Sequence, residues 1–204
     1  MVRFLAKTAL FLLLALVAIA GGIVGFSTDP LYTATDWLSL GRYQRYESEI
    51  QDIARKHKID PLLIRAIVWR ESDFHPDKTG TSGERGLMQV SEGAAEDWVR
   101  ANKVENFVPT DLFAPRTNLE IGTWYLKQAL QHWASKDDPI PFALAEYNAG
   151  KRRVDRWIES TKLGSAVTAD DLRTSIDFPK TRHYVESIIK RRSYYEAESK
   201  KAAH

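Results

Sequence analysis

The stretch PLLIRAIVWRESDFHPDKTGTSGERGLMQV, Pro61 to Val90, joins an apolar helical run to a loop with glycines at 80, 83 and 86. Asp60 is a good N-cap and Pro61 suits the first helical position, so the spacing predicts a helix running to Glu71. Around that helix Glu71 falls about 20° from Ile64 and about 40° from Ile67. It therefore shares the apolar stripe. It also sits at the carboxyl end, where the helix dipole disfavours negative charge. Burial and the dipole both raise a carboxyl pKa. A carboxyl group still protonated near neutral pH is what a general acid for glycosidic cleavage needs. Spacing alone leaves two alternatives open: Glu71 turned out to water, or paired with Arg85.

The loop glycines permit positive φ and let backbone amides approach a ligand closely. A phosphate cradle is excluded, because no strand precedes the loop and no Gly-Lys-Ser/Thr closes it. Gly80-Thr81-Ser82-Gly83 does not match the G-x-S-x-G nucleophile elbow. Asp73 and Asp77 lack the alternating spacing of a metal-binding loop. A ligand-binding wall and a plain surface turn both remain open here.

Outward from this stretch nearly every segment has helical period. Tyr43, Tyr46, Ile50 and Ile53 form one stripe. Ser91 starts a helix that carries Trp98 and Val99, and Asn118 reads as the N-cap of the helix LEIGTWYLKQALQHW. Asp138-Pro139 interrupts the chain before the apolar helix PFALAEYNAG, which Gly150 ends. Lys151 to Ser160 places Val154 and Trp157 inward, and Thr168-x-x-Asp171 resembles a capping box. A last helix follows Phe178-Pro179 and holds Tyr184, Val185, Ile188 and Ile189. The expected fold is all-α, a compact multi-helical domain over residues 42–198. Residues 27–41 read as a linker and 199–204 as a fraying tail.

At the N-terminus Arg3 and Lys7 precede ALFLLLALVAIAGGIVGF, Ala9 to Phe26. A basic head before an apolar core marks export. Residues 1–26 read first as a signal peptide, cleaved after Ala18-Ile19-Ala20, or an uncleaved signal anchor helix, with a buried N-terminal core helix as the bland alternative to these two. Both leading readings place the domain in the periplasm or otherwise outside the cytoplasm; the anchor would tether it to the inner membrane through residues 9–26.

Composition narrows the chemistry. The 204 residues are 44% hydrophobic and 27% charged, with a net charge of +2, which gives no case for nucleic acid as a partner. The absence of cysteine removes disulfides, thiolate metal sites and thiol nucleophiles. The five histidines show no H-E-x-x-H or other ligand spacing, so no metal and no cofactor is expected. Six Trp and eight Tyr could line a sugar groove, although packing explains most of them.

Four segments in order resemble the catalytic domain of the soluble lytic transglycosylases, bacterial muramidases related to goose-type lysozyme. They are Glu71-Ser72, GERGLMQV (Gly83 to Val90), AEYNAG (Ala145 to Gly150) and FPKTRHYV (Phe178 to Val185). The resemblance covers roughly residues 45–195. It implies a lysozyme-like domain that acts, as a monomer, on peptidoglycan glycan strands. Such a domain cleaves between N-acetylmuramic acid and N-acetylglucosamine and leaves an anhydro-muramoyl end. Carried over by position, Glu71 is the sole catalytic acid and then base. Met88 and Gln89 line the sugar groove, Tyr147 and Asn148 face the glutamate, and Tyr184 adds a hydroxyl opposite. Ser72, Gly83 and Glu146, from the same segments, join them as substrate contacts. The chain departs from the family pattern at Ser91-Glu92, where Met-Pro is common, and at Gly80, where Ser or Thr is frequent. Glu84 and Glu146 stand where small residues are usual.

One carboxylate is enough if the substrate assists. Paired-carboxylate glycosidases hold their acids about 5 Å apart when retaining and about 6.5–9.5 Å when inverting. No second acid in this sequence shares the buried context of Glu71. The 2-acetamido group could stabilise the oxocarbenium-like state, and the sugar's own primary hydroxyl could then attack with high effective molarity.

Overall fold

The computed structural model describes residues 2–26, 30–39 and 41–202. The chain divides between Gln44 and Arg45 into two units. The first holds α1 (Val2–Phe26) and α2 (Pro30–Leu38). In α1 the described side chains from Leu10 to Ile19 are mostly exposed, Phe11 and Leu14 among them. The side chains of Arg3 and Lys7 lie outside the described residues. Among the described residues, no helix is long and apolar enough to cross a membrane. α2 falls in the segment expected to be a linker. Pro30 takes its first position, and the Thr35 hydroxyl donates back to the Leu31 carbonyl (3.0 Å).

The second unit contains α3 (Glu47–His57), α4 (Pro61–Ser72), α5 (Glu92–Asn102), α6 (Pro115–His132), α7 (Ile140–Ala149), α8 (Lys151–Thr161), α9 (Ala169–Ser175) and α10 (Pro179–Ala202). It is all-α, as the helical periods predict. Among the described residues, β-type pairing is confined to isolated bridges, Thr79 with Arg85 and Arg85 with Val90. α10 lies along both α4 and α7, while α6 lies against α3, α5 and α7. Ile50, Ile53, Ile64, Ile67, Leu119, Leu126, Phe142 and Ile188 fill the space between them and are fully or almost fully buried.

Three helix starts follow the caps expected from the sequence. Asp60 Oδ1 accepts from the Leu62 amide (2.9 Å) and Ser91 Oγ from the Ala94 amide (3.2 Å). Thr168 and Asp171 close a reciprocal capping box. The C-terminal boundary is different: α10 continues to Ala202, its last turns tied by Lys200–Glu196 and Lys201–Glu198 pairs.

Asn118 is the clearest departure. α6 starts at Pro115, so Asn118 is inside the helix and not its cap. Its side chain is fully buried and holds the glycine loop instead. Oδ1 accepts from the Met88 amide (2.7 Å), and Nδ2 donates to the carbonyls of Arg85 (2.7 Å) and Leu112 (2.8 Å). Asn at this place ties two backbone groups of the loop, the Met88 amide and the Arg85 carbonyl, to the Leu112 carbonyl just ahead of α6. Gly86, at φ +76, is required beside it, because a Cβ there would come within 2.8 Å of Asn118 Cγ. Replacing Asn118 with Ala should cost about 3 kcal/mol, since buried partners are left unpaired. Urea unfolding at neutral pH measures this, as a lower midpoint at unchanged slope.

Candidate active site

A groove of about 810 Å³ runs across the second unit between the glycine loop, α7 and α10. Glu71 stands at the end of α4 on its wall, beside Lys78, Gly80, Glu84 and Gln89 from the loop. Tyr125 of α6, Tyr147 and Asn148 of α7, and Lys180 and Tyr184 of α10 also line it.

The helix ends abruptly after Ser72, one residue beyond Glu71. Asp73 (φ 52) and Phe74 (φ 62) both adopt left-handed backbone, which turns the chain back across the helix end. Phe74 is fully buried, and that burial offsets the strain. The turn leaves the Glu71 carboxyl facing the groove, only partly exposed. Tyr184 Oη donates to Glu71 Oε1 at 2.7 Å.

Burial raises the Glu71 pKa from its ordinary 4.5 to about 7; the Tyr184 hydrogen bond and the charges of Lys78 and Arg70 work against it, and Glu84 adds to it. Burial, then the neighbouring Glu71 charge, holds the Tyr184 and Tyr147 hydroxyls well above the usual tyrosine range, so both stay neutral donors. Arg70 lies over the Tyr184 ring, 5.9 Å from its centroid. Arg85 does not pair with Glu71: its guanidinium lies 3.7 Å from Glu92 and donates to the Pro109 carbonyl (3.3 Å).

Of the residues expected to contact substrate, Gln89, Glu146, Tyr147, Asn148 and Tyr184 reach the groove. Gln89 has φ 47 and donates its amide to the carbonyls of Lys78 (3.0 Å) and Gly86 (3.1 Å), locking the loop. Tyr147 donates to the Met88 carbonyl (3.0 Å) and meets Tyr125 edge to face at 5.9 Å. Asn148 Oδ1 accepts from Thr181 Oγ1 (2.8 Å), which joins α7 to α10. The Glu146 carboxylate is taken up elsewhere, by Trp133 Nε1 (2.8 Å) and His132 Nδ1 (2.7 Å).

Ser72, Gly83 and Met88 do not line the groove. Ser72, the next residue after Glu71, points a different way around the helix; it is buried and donates to the Val68 carbonyl (3.1 Å). Gly83, at φ +93, shapes the loop's outer turn, its amide donating to the Gly80 carbonyl (3.2 Å). Met88 is fully buried beneath the floor, against Gly122 of α6. A Cβ at Gly122 would lie 2.7 Å from Met88 Sδ and 3.1 Å from Tyr147 Oη, so this glycine sets how closely loop and α7 approach α6.

Lys78, Tyr125 and Lys180 were not singled out from the sequence. Tyr125 had a signal, since it follows Gly122 on the inward face of α6. The loop conformation that brings Lys78 in has none.

The raised pKa makes stability depend on pH. The stabilisation from a held proton is complete below 4.5 and is lost as pH rises through about 7. Glu71→Gln, which cannot ionise, should therefore melt higher than the wild type at pH 8. Thermal unfolding at a series of pH values should show that gap shrinking steadily toward pH 4.

The family model of the transglycosylase SLT domain matches residues 48–167. The soluble lytic murein transglycosylase of Salmonella typhimurium is 34% identical over 142 residues, which are 69% of this chain and 21% of that protein. The membrane-bound lytic murein transglycosylase F of Pseudomonas fluorescens is 31% identical over 117 residues, 56% of this chain and 22% of that one. In the crystal structure of the 70 kDa soluble lytic transglycosylase from Escherichia coli, the likeness covers 76% of this chain and 24% of that chain. Its TM-score is 0.68 at 30% sequence identity. The chain thus spans about a fifth to a quarter of the length of the relatives it matches.

Proposed function

Because the chain belongs to the transglycosylase SLT family, we propose that it is a peptidoglycan lytic transglycosylase. It cleaves between N-acetylmuramic acid and N-acetylglucosamine and leaves an anhydro-muramoyl end. One observation carries this reading: a carboxyl group that holds its proton up to about pH 7, on the wall of a groove, with a tyrosine hydroxyl bonded to it.

In the proposed reaction the Glu71 proton passes to the glycosidic oxygen as its bond to C1 breaks, and the glucosamine side leaves as an alcohol. The neighbouring acetamido oxygen stabilises the positive charge at C1. Glu71, now a carboxylate, takes the proton from the muramic acid's primary hydroxyl. That oxygen bonds to C1, closing the anhydro ring and restoring the acid. Tyr184 serves the second half of this cycle. Its hydrogen bond favours the carboxylate while burial favours the acid, so the proton affinity falls near neutrality, where one group can play both parts.

The names of the relatives, soluble in one case and membrane-bound in another, leave both modes of attachment available to the family. For this chain we propose export, with the domain in the periplasm. Support comes from Arg3 and Lys7 ahead of the apolar run and from the exposed Leu10, Phe11, Leu12 and Leu14 of α1.

Mass spectrometry of digested cell-wall glycan tests the reaction. Anhydro ends are expected; reducing muramic acid ends would instead mark a hydrolase of the same bond. Glu71→Gln should lower glycan release by about 100-fold or more while glycan binding persists, because the substitution keeps the shape. Unchanged release would remove Glu71 from the chemistry and leave a glycan-binding module.

A further inference from the structure

The loop after α4 carries two opposite charges onto the groove wall, Lys78 and Glu84, with Gly80 between them. Each is held by a specific contact. Lys78 Nζ donates to the main-chain carbonyl of Glu71 itself, at the negative end of α4. Glu84 Oε2 accepts from the Ser82 amide at 3.1 Å, which folds the carboxylate back over Gly80.

Gly80 has no left-handed φ that would call for glycine; it is needed for space. A Cβ there would collide with Glu84 Oε2 and come within 2.8 Å of Gln89 Oε1. The missing side chain is thus the seat of the Glu84 carboxylate. The seat is rigid, because Gly80 N donates to the Glu84 carbonyl (2.7 Å) and Gly86 N to the Lys78 carbonyl (2.9 Å).

We propose that Lys78 and Glu84, fixed by the glycine at 80, are a pair of positioning residues that set the acid strength of Glu71 from opposite sides. Lys78 favours the carboxylate, and Glu84 favours the acid. Arg70 on the same helix, Tyr125 from α6, Glu146 and Tyr147 from α7, and Lys180 and Tyr184 from α10 also stand on the groove, and the Glu146 carboxylate is held by Trp133 and His132. Tyr147 and Tyr184 stay neutral, and Arg70 is fixed over the Tyr184 ring. Lys78 and Glu84 are therefore the pair through which the loop acts on the proton. Of the two charges, Lys78 acts on Glu71 more strongly than Glu84.

This inference deepens the proposed function, but its primary readout does not require activity. In protein with carbon-13-labelled glutamate, the Glu71 carboxyl resonance is followed against pH for the wild type and four variants. Lys78→Met should move the midpoint upward, and Lys78→Arg should restore it. Glu84→Gln should move it downward, by less. Gly80→Ala should also move it downward, because the new methyl displaces the Glu84 carboxylate. Combining it with Glu84→Gln should add nothing further. Midpoints that stay put, or that move the same way in Lys78→Met and Glu84→Gln, overturn the proposal. A circular dichroism spectrum separates shifts from unfolding; should Lys78→Met unfold, the Glu84 and Gly80 variants alone decide the matter. On glycan, the alkaline limb of the pH–rate profile should follow the same shifts. A wild type that titrates as described yet cleaves no glycan would overturn the proposed function and leave this proposal standing.

Discussion

The hydrogen bond from Tyr184 to Glu71 joins two residues 113 positions apart, and the rest of the domain is arranged to make it possible. Tyr184 is almost wholly buried on α10, and α10 in turn rests on α4 and α7. A carboxyl group in that setting faces two opposed demands. Burial and the end of α4 disfavour its charge, while a neutral hydroxyl donor and nearby cations favour it. The outcome is a proton held up to about pH 7, neither as weakly as in water nor as firmly as in an apolar core. Such a group is suited to give up a proton and take one back within a single turnover.

The groove floor depends on a second constraint, which is polar rather than apolar. Between α4 and α5 the chain has no regular structure to pair its backbone, apart from the isolated bridges at Thr79, Arg85 and Val90. The buried amide of Asn118 supplies what is missing and fixes Met88 beneath the site. Gly86 and Gly122 allow the close approach. Tyr147 then reaches over the floor to the Met88 carbonyl, so the loop, α6 and α7 form one rigid wall. Left-handed backbone at Asp73, Phe74 and Gln89 adds strain at the same place, and the burial of Phe74 and the hydrogen bonds of Gln89 hold it.

Much of this was legible in the sequence. Helix periods and cap residues placed the helices of the domain, because both signals are local. The phase of Glu71 on the stripe of Ile64 and Ile67 pointed to a buried acid for the same reason. What failed was long-range. Asn118 reads as a cap in the sequence because the residue type that satisfies a helix end also satisfies a buried loop, and only tertiary packing decides which. Ser72 and Met88 were placed in the groove through their motif segments, although being next to a groove residue in sequence says little about facing. The helix from Pro30 to Leu38 was hidden by polar residues, and the seat of Glu84 over Gly80 could not be seen before the loop was folded.

The central claim is that the fold keeps a proton on Glu71 at neutral pH, and carbon-13 NMR of the wild-type glutamate carboxyls tests it most directly. The account predicts that one carboxyl titrates near 7 and that Glu71→Gln removes that resonance. A Glu71 midpoint at or below the ordinary value of 4.5 would contradict it.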